Sequence, residues 1–173
     1  KEGIAKKTLP FIKPNTTVYL DSGSTTTALA KIWPDQPNFI FTSSMDCVME
    51  LSKLKNPTVF ILGGELNKYS MSVCGMEAVN SVKSVNFDLA VLGVTSYHKD
   101  TGFSCGVLME SYLKQAVLKQ SEEKMILMDS SKIDKKSTFH ICGIEAVNMV
   151  ITDENIPGDF QMQCEKAGVR LLK

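Results

Sequence analysis

Short apolar, β-branched runs alternate with segments of helical period along almost the whole chain, and this alternation constrains the fold more than any other feature. Thr17–Leu20, Phe39–Thr42, Thr58–Leu62, Asp88–Val94 and Lys124–Met128 read as strands, with Asp88–Val94 the most apolar and therefore central. Between them, Thr25–Ile32 reads as a helix stopped by Trp33-Pro34. Ser44 is placed to cap a helix through Leu54, with Val48, Leu51 and Leu54 on one side. Gly75–Val82 is a weaker helical segment and Leu108–Ser121 a clear one; Glu65–Ser72 reads only as a polar stretch. Strands near Phe139–Cys142 and Asn148–Thr152, a helix at Asp159–Ala167 and a strand at Val169–Leu172 continue the pattern, and Lys1–Ile12 reads as a short amphipathic helix. Repeated strand–helix units imply an α/β fold: a mainly parallel sheet with helices on both faces. No repeat, low-complexity run or long linker divides residues 1–173, which we read as one domain.

Composition narrows the function. Lysine and arginine number 19, as do aspartate and glutamate, so the chain lacks the basic excess of a domain built to grip DNA. No apolar run reaches membrane-spanning length, and no signal-peptide pattern opens the chain. The five cysteines are scattered and form no Cys-x-x-Cys pair, which argues against a zinc or disulfide framework and for reduced thiols in a cytoplasm. The first residue is lysine, which reads as a chain cut from something longer.

Ligands of open parallel sheets sit beyond the carboxyl ends of the strands, so the loops there carry the functional information. Asp21-Ser22-Gly23-Ser24-Thr25-Thr26-Thr27 lies between a strand and a helix. Its glycine permits a tight turn, and the amides and hydroxyls after it sit at a helix N-terminus, an arrangement that suits a phosphate. A polar helix cap fits the same residues, and Walker spacing is absent. Thr42-Ser43-Ser44 reads first as a cap. Gly63-Gly64, followed by Ser70, Ser72 and Gly75, allows close approach of a ligand or another backbone, or forms a simple turn. Gly93-Val94-Thr95-Ser96 follows the central strand. Glu110 and Lys114, four apart on one helix, read first as a surface ion pair. Asp129-Ser130-Ser131-Lys132 leaves a strand end as a solvated turn or part of a site. His98 reads as a lone loop histidine at the surface, and His140 as a strand residue with no special role.

Taken in order, these loops resemble the C-terminal sensor domain of DeoR-family repressors. Leu20 to Thr27 is similar to the family's Asp-x-Gly-Thr-Thr-Thr element, and Leu62-Gly63-Gly64 with Ser72 and Gly75 to its Gly-Gly segment. Phe87-Asp88 through Gly93, Gly102-Phe103-Ser104, Lys114, Asp129–Lys132 and Ile151-Thr152-Asp153 follow in the expected order. Ser24 replaces the commoner threonine, Ser43 stands where asparagine is frequent, and Val94-Thr95-Ser96-Tyr97 departs from the usual pattern. The resemblance implies the fold of ribose-phosphate isomerase and CoA-transferase domains. It implies a non-enzymatic sensor of a phosphorylated sugar or related metabolite, without metal or cofactor, and usually oligomeric. An N-terminal winged helix-turn-helix would read DNA. The expected ligand-binding residues are Asp21, Ser22, Gly23, Ser24, Thr25, Thr26, Thr27, Ser43, Gly63, Gly64, Ser72, Gly93, Lys114, Asp129 and Lys132. The alternatives are a sugar-phosphate isomerase-like enzyme, for which the segment after Gly93 lacks a carboxylate and Glu110 is the spare base, and a purely structural oligomerisation domain.

Overall fold

A computed structural model describes residues 1–173. The chain opens with helix α1 (Glu2–Thr8) and a 3-10 turn, Leu9–Phe11, then alternates β1 (Thr17–Leu20), α2 (Ser24–Lys31), β2 (Phe39–Thr42), α3 (Met45–Leu51) and β3 (Thr58–Ile61). After β4 (Glu65–Asn67), β5 (Ser72–Cys74) and α4 (Met76–Val82) come β6 (Phe87–Gly93), β7 (Ser96–His98), β8 (Gly102–Cys105), α5 (Leu108–Lys119) and β9 (Ser121–Leu127). The 3-10 turn Ser130–Lys132 leads to β10 (Phe139–Cys142), β11 (Met149–Ile151), α6 (Gly158–Lys166) and β12 (Arg170–Leu172).

Seven strands form one parallel sheet in the order β12-β11-β9-β6-β1-β2-β3. From β1 the chain moves outward through β2 to β3, then returns to the other side of β1 and moves outward again from β6 to β12. The reversal falls between β1 and β6, paired in the register Val18↔Leu89, Tyr19↔Ala90 and Leu20↔Val91. Strand alternation places two cores, one on each face. Val18, Leu20, Ile40, Val91 and Leu127 pack against Ile4 and Ala5 of α1, Leu29 and Ala30 of α2, and Cys47 and Leu51 of α3. On the other face, Tyr19, Ala90, Leu92 and Ile126 pack against α4 (Val79, Val82), α5 (Leu113, Val117) and α6 (Phe160, Cys164). The central strands are covered on both faces, as their near-continuous apolar runs require.

Two segments differ from the sequence expectation. The polar stretch after Gly64 is an antiparallel hairpin, β4–β5, with Leu66 opposite Val73. Asn67 Oδ1 turns it by accepting from the amides of Tyr69 and Ser70. Strands β7 and β8 form a second hairpin, and β10 adds antiparallel to β8 in a separate three-stranded sheet instead of joining the main one. Lesser shifts occur at ends. The helix at Leu108 stops at Lys119 because Ser121 already pairs with Phe87 as the start of β9. The helix capped by Ser44 stops at Leu51, short of Leu54. No helix is long and apolar enough to cross a membrane.

Candidate functional site

Where strand order reverses, the loops after β1 and β6 part and leave a crevice. A cleft of about 610 Å³ lies there. Beneath its floor lies Asp21, the first residue past β1 and only 2% exposed. Asp21 Oδ2 accepts from the Gly93 amide at the end of β6 (2.9 Å) and from the Lys114 ammonium. Lys114, 4% exposed, also donates to the Gly93 carbonyl oxygen at 3.1 Å. This buried pair ties α5 to β1 and β6 at the switch point. Lys114 therefore does not pair with Glu110, and the expected surface ion pair is corrected: burial draws the lysine inward to a carboxylate 93 residues away in sequence.

Above the pair, Gly23 turns the chain with φ 130°, a conformation L side chains rarely adopt, and starts α2. The Thr27 amide makes the first helical bond, to the Gly23 carbonyl (2.9 Å). The amides of Ser24, Thr25 and Thr26 precede the first turn's acceptors and have none within the chain. The Thr26 hydroxyl, 1% exposed, donates back to the Gly23 carbonyl at 2.8 Å and braces the loop. Ser22 through Thr26 line the cleft, and Thr25 adds a hydroxyl that makes no bond within the chain.

Lys132 closes another side. Its ammonium donates to the Val94 carbonyl oxygen at 2.5 Å and faces the cleft. Burial lowers its pKa from the ordinary lysine value, and the carboxylate of Asp129 opposes that shift. Glu110, on α5, lines the cleft beside Cys105 and Lys114. It makes no hydrogen bond or ion pair, and its Oε1 is a buried atom without a partner. Burial also raises the Cys105 thiol, which stays protonated near neutrality. Tyr69 and Ser70, at the tip of the β4–β5 hairpin, form the rim with Asp46, and Tyr69 is wholly exposed.

The expected residues divide into two groups. Ser22, Gly23, Ser24, Thr25, Thr26, Gly93, Lys114 and Lys132 line the cleft, with Asp21 bonded beneath them. The others lie outside that lining and are held by contacts within the chain. Thr27 faces Cys47. Ser43 is buried against the Tyr19 hydroxyl (3.3 Å), and its carbonyl accepts from the Val73 amide (2.7 Å). Ser72 is buried and bonded to Ser70 (2.7 Å). Gly63 and Gly64 shape the entry to the hairpin; at Gly64, φ is 138° and an added Cβ would strike the Cys74 carbonyl. Asp129 caps its own turn, accepting from the amide and hydroxyl of Ser131. Sequence reasoning missed Tyr69, Asp46 and Cys105 as lining residues, named Thr95 only within its loop, and left Glu110 out of the ligand set. Neither histidine lines the cleft.

Residues 1–154 match the family model of the DeoR C terminal sensor domain. The chain is 30% identical, over 173 residues, to a transcriptional repressor assigned to an aga operon in Escherichia coli O157:H7, covering 99% of this chain and 64% of that protein. It is 28% identical to the HTH-type transcriptional regulator GolR of Listeria innocua, covering 98% and 67%, and 25% identical to the L-fucose operon activator of Haemophilus influenzae, covering 96% and 67%. The chain thus spans about two thirds of the length of these relatives. Among solved structures it is similar to ribose 5-phosphate isomerase A of Methanocaldococcus jannaschii (TM-score 0.52, 16% identity, 76% of this chain and 52% of that one). It is also similar to eIF2B beta of Chaetomium thermophilum (TM-score 0.57, 12% identity, 86% and 48%). At these identities the structural likeness concerns the fold alone, which agrees with the parallel sheet and its switch point. The match over residues 1–154 reaches past β11 and takes in all of the cleft, and on it the chain belongs to the DeoR C-terminal sensor domain family.

Proposed function

We propose that this chain is the effector-sensing domain of a DeoR-type transcription regulator. It binds a phosphorylated sugar or related phosphorylated metabolite in the cleft between β1 and β6, and occupancy controls DNA reading by another domain of the full-length protein. The relatives' names as operon repressors, regulators and activators support the regulatory part. One observation carries the ligand class: three unpartnered amides at the start of α2 and the Lys132 ammonium line one cleft at the sheet's switch point. Amides at a helix start favour an anion by about 0.3–1 kcal/mol, more when partly buried. Each hydrogen bond to a charged group contributes roughly 1.5–3 kcal/mol. Lys132 has donors to spare beyond Val94. Lys114 does not supply the ligand's counter-charge, because Asp21 already neutralises it. The role includes binding without turnover, action in the cytoplasm and assembly as a homo-oligomer, since paired DNA-reading domains match two-fold sites.

Calorimetry tests the reading by comparing sugar phosphates with their parent sugars on the wild type and Lys132→Met. The phosphates bind more tightly, and Lys132→Met loses about tenfold or more in affinity for them. A parent sugar that binds as tightly as its phosphate overturns the ligand class.

A further inference from the structure

The phosphate-accepting groups leave one part of the cleft unexplained. Glu110 carries a carboxylate whose Oε1 is buried with no donor in the chain. Such orphans are uncommon in folded proteins, and one that faces a cleft calls for a donor from outside the chain, a ligand or an ordered water. The natural donor on the same helix is Lys114, one turn away, but it is committed to Asp21 and the Gly93 carbonyl. The other cleft groups near Glu110 are no better: the Cys105 thiol donates to the Val107 carbonyl at 3.4 Å. Position matters as much as the missing partner. Helix α2, whose N-terminus offers the free amides, packs on one face of the main sheet, and α5, which carries Glu110, packs on the other. The cleft between them is therefore polarised, with donors on the α2 side and an unsatisfied acceptor on the α5 side.

We infer that Glu110 reads a hydroxyl of the bound metabolite and rejects a second phosphate, so that the site selects polyhydroxylated monophosphates over inorganic phosphate and over sugar bisphosphates. This rests on the phosphate reading above. A carboxylate accepts from a hydroxyl but has no donor for a phosphate oxygen, and two like charges there repel. The cleft holds no spare cation to offset them, since Lys114 is neutralised and Lys132 is already assigned to the first anion.

The test is calorimetry with inorganic phosphate, ribose 5-phosphate, fructose 6-phosphate, fructose 1,6-bisphosphate and the parent sugars, on the wild type, Glu110→Ala and Glu110→Gln. In the wild type at least one monophosphate binds tenfold or more tighter than inorganic phosphate and than the bisphosphate. Glu110→Ala removes at least tenfold of that advantage, leaves inorganic phosphate binding within twofold, and narrows the gap to the bisphosphate. Glu110→Gln, which keeps an acceptor without the charge, retains part of the monophosphate affinity. The unliganded Glu110→Ala protein melts no lower than the wild type, because it loses an unsatisfied group. A monophosphate advantage that is absent in the wild type or survives Glu110→Ala overturns the inference. So does a Glu110→Ala protein that melts lower and loses inorganic phosphate equally, since that is the mark of a structural role. If Glu110→Ala weakens a sugar and its phosphate alike while the two bind equally in the wild type, the phosphate reading fails and the hydroxyl role of Glu110 stands. Failure of every probe to bind overturns both.

Discussion

Lys114→Met tests the reading of the switch point as a buried ionic bolt. Both partners are nearly sealed from water, with side-chain exposures of 5% for Lys114 and 3% for Asp21. Methionine matches the lysine stem in length and keeps the helix, so the substitution removes the charge with little change in packing. It leaves a buried Asp21 carboxylate with the Gly93 amide as its remaining donor. An uncompensated buried charge of this kind costs about 3–5 kcal/mol. In a domain of this size each kcal/mol shifts Tm by roughly 2–4 °C, so the variant should melt about 6–20 °C lower. Removing both charges, in Asp21→Asn with Lys114→Met, should restore at least half of the loss and give a coupling energy of at least ~1.5 kcal/mol. Chemical and thermal denaturation of the four proteins in the cycle measures both quantities. A surface Glu110–Lys114 pair predicts only about 0.3–0.5 kcal/mol. A Lys114→Met protein within about 1 kcal/mol of the wild type would refute the argument, and additive single effects would show that the two side chains do not act as a pair.

Gly64→Ala should destabilise by about 1–3 kcal/mol, because φ 138° and the Cys74 carbonyl leave no room for a Cβ; hydrogen exchange should quicken across the β4–β5 hairpin that carries Tyr69 and Ser70. Thr26→Val removes the 2.8 Å brace to the Gly23 carbonyl and should cost about 0.5–1.5 kcal/mol of stability, with a weaker ligand measured on the same sample by calorimetry. Stability should also fall in alkali: burial pushes the folded Cys47 thiol up to about 11 from 9.0, so between those pH values the unfolded chain binds fewer protons. The stabilisation is complete below pH 9 and is lost at roughly 1.4 kcal/mol per pH unit as pH rises toward 11. Urea titrations of wild type and Cys47→Ala between pH 8 and 11 should show a shallower decline in the variant.

What the sequence made legible follows the range of the interactions involved. The main-sheet strands announce themselves through local apolar runs, and the loop from Asp21 to Thr27 through its glycine and hydroxyls, because turn geometry and helix initiation are decided within a few residues. The hairpins β4–β5 and β7–β8 were hidden because their strands are three or four residues long and mostly polar, too short for alternation to show. Lys114 was misread for a related reason. The i, i+4 rule sees Glu110, whereas the actual partner arrives only when β1 and α5 meet across the switch point. At Ser43 and Ser72 the sequence showed hydroxyls near strand ends but not their neighbours within the chain, the Tyr19 hydroxyl for one and Ser70 for the other, which only the fold supplies.

On the proposed reading, the division of labour among the charged groups accounts for how the cleft would sense and not merely hold a ligand. Asp21 and Lys114 satisfy one another without any ligand, and so tie together β1, β6 and α5. The groups left to respond are those with spare capacity: the amides of Ser24 to Thr26, the Lys132 ammonium, Glu110 and the hairpin tip at Tyr69. They belong to separate elements, so a ligand that engages all of them joins α2, α5 and the hairpin across both faces of the sheet. A ligand at a hundred times its Kd stabilises the state that presents these groups together by about 2.7 kcal/mol, and shifts a conformational equilibrium only by its differential affinity for the two states. Helix α2 is the element best placed to pass that energy on. Its first turn meets the cleft, while its Leu29 and Ala30 share a core with Ile4 and Ala5 of α1. On the proposed reading, a shift of α2 toward a bound anion would be felt at α1 through direct packing, because a close-packed core transmits displacement and does not absorb it.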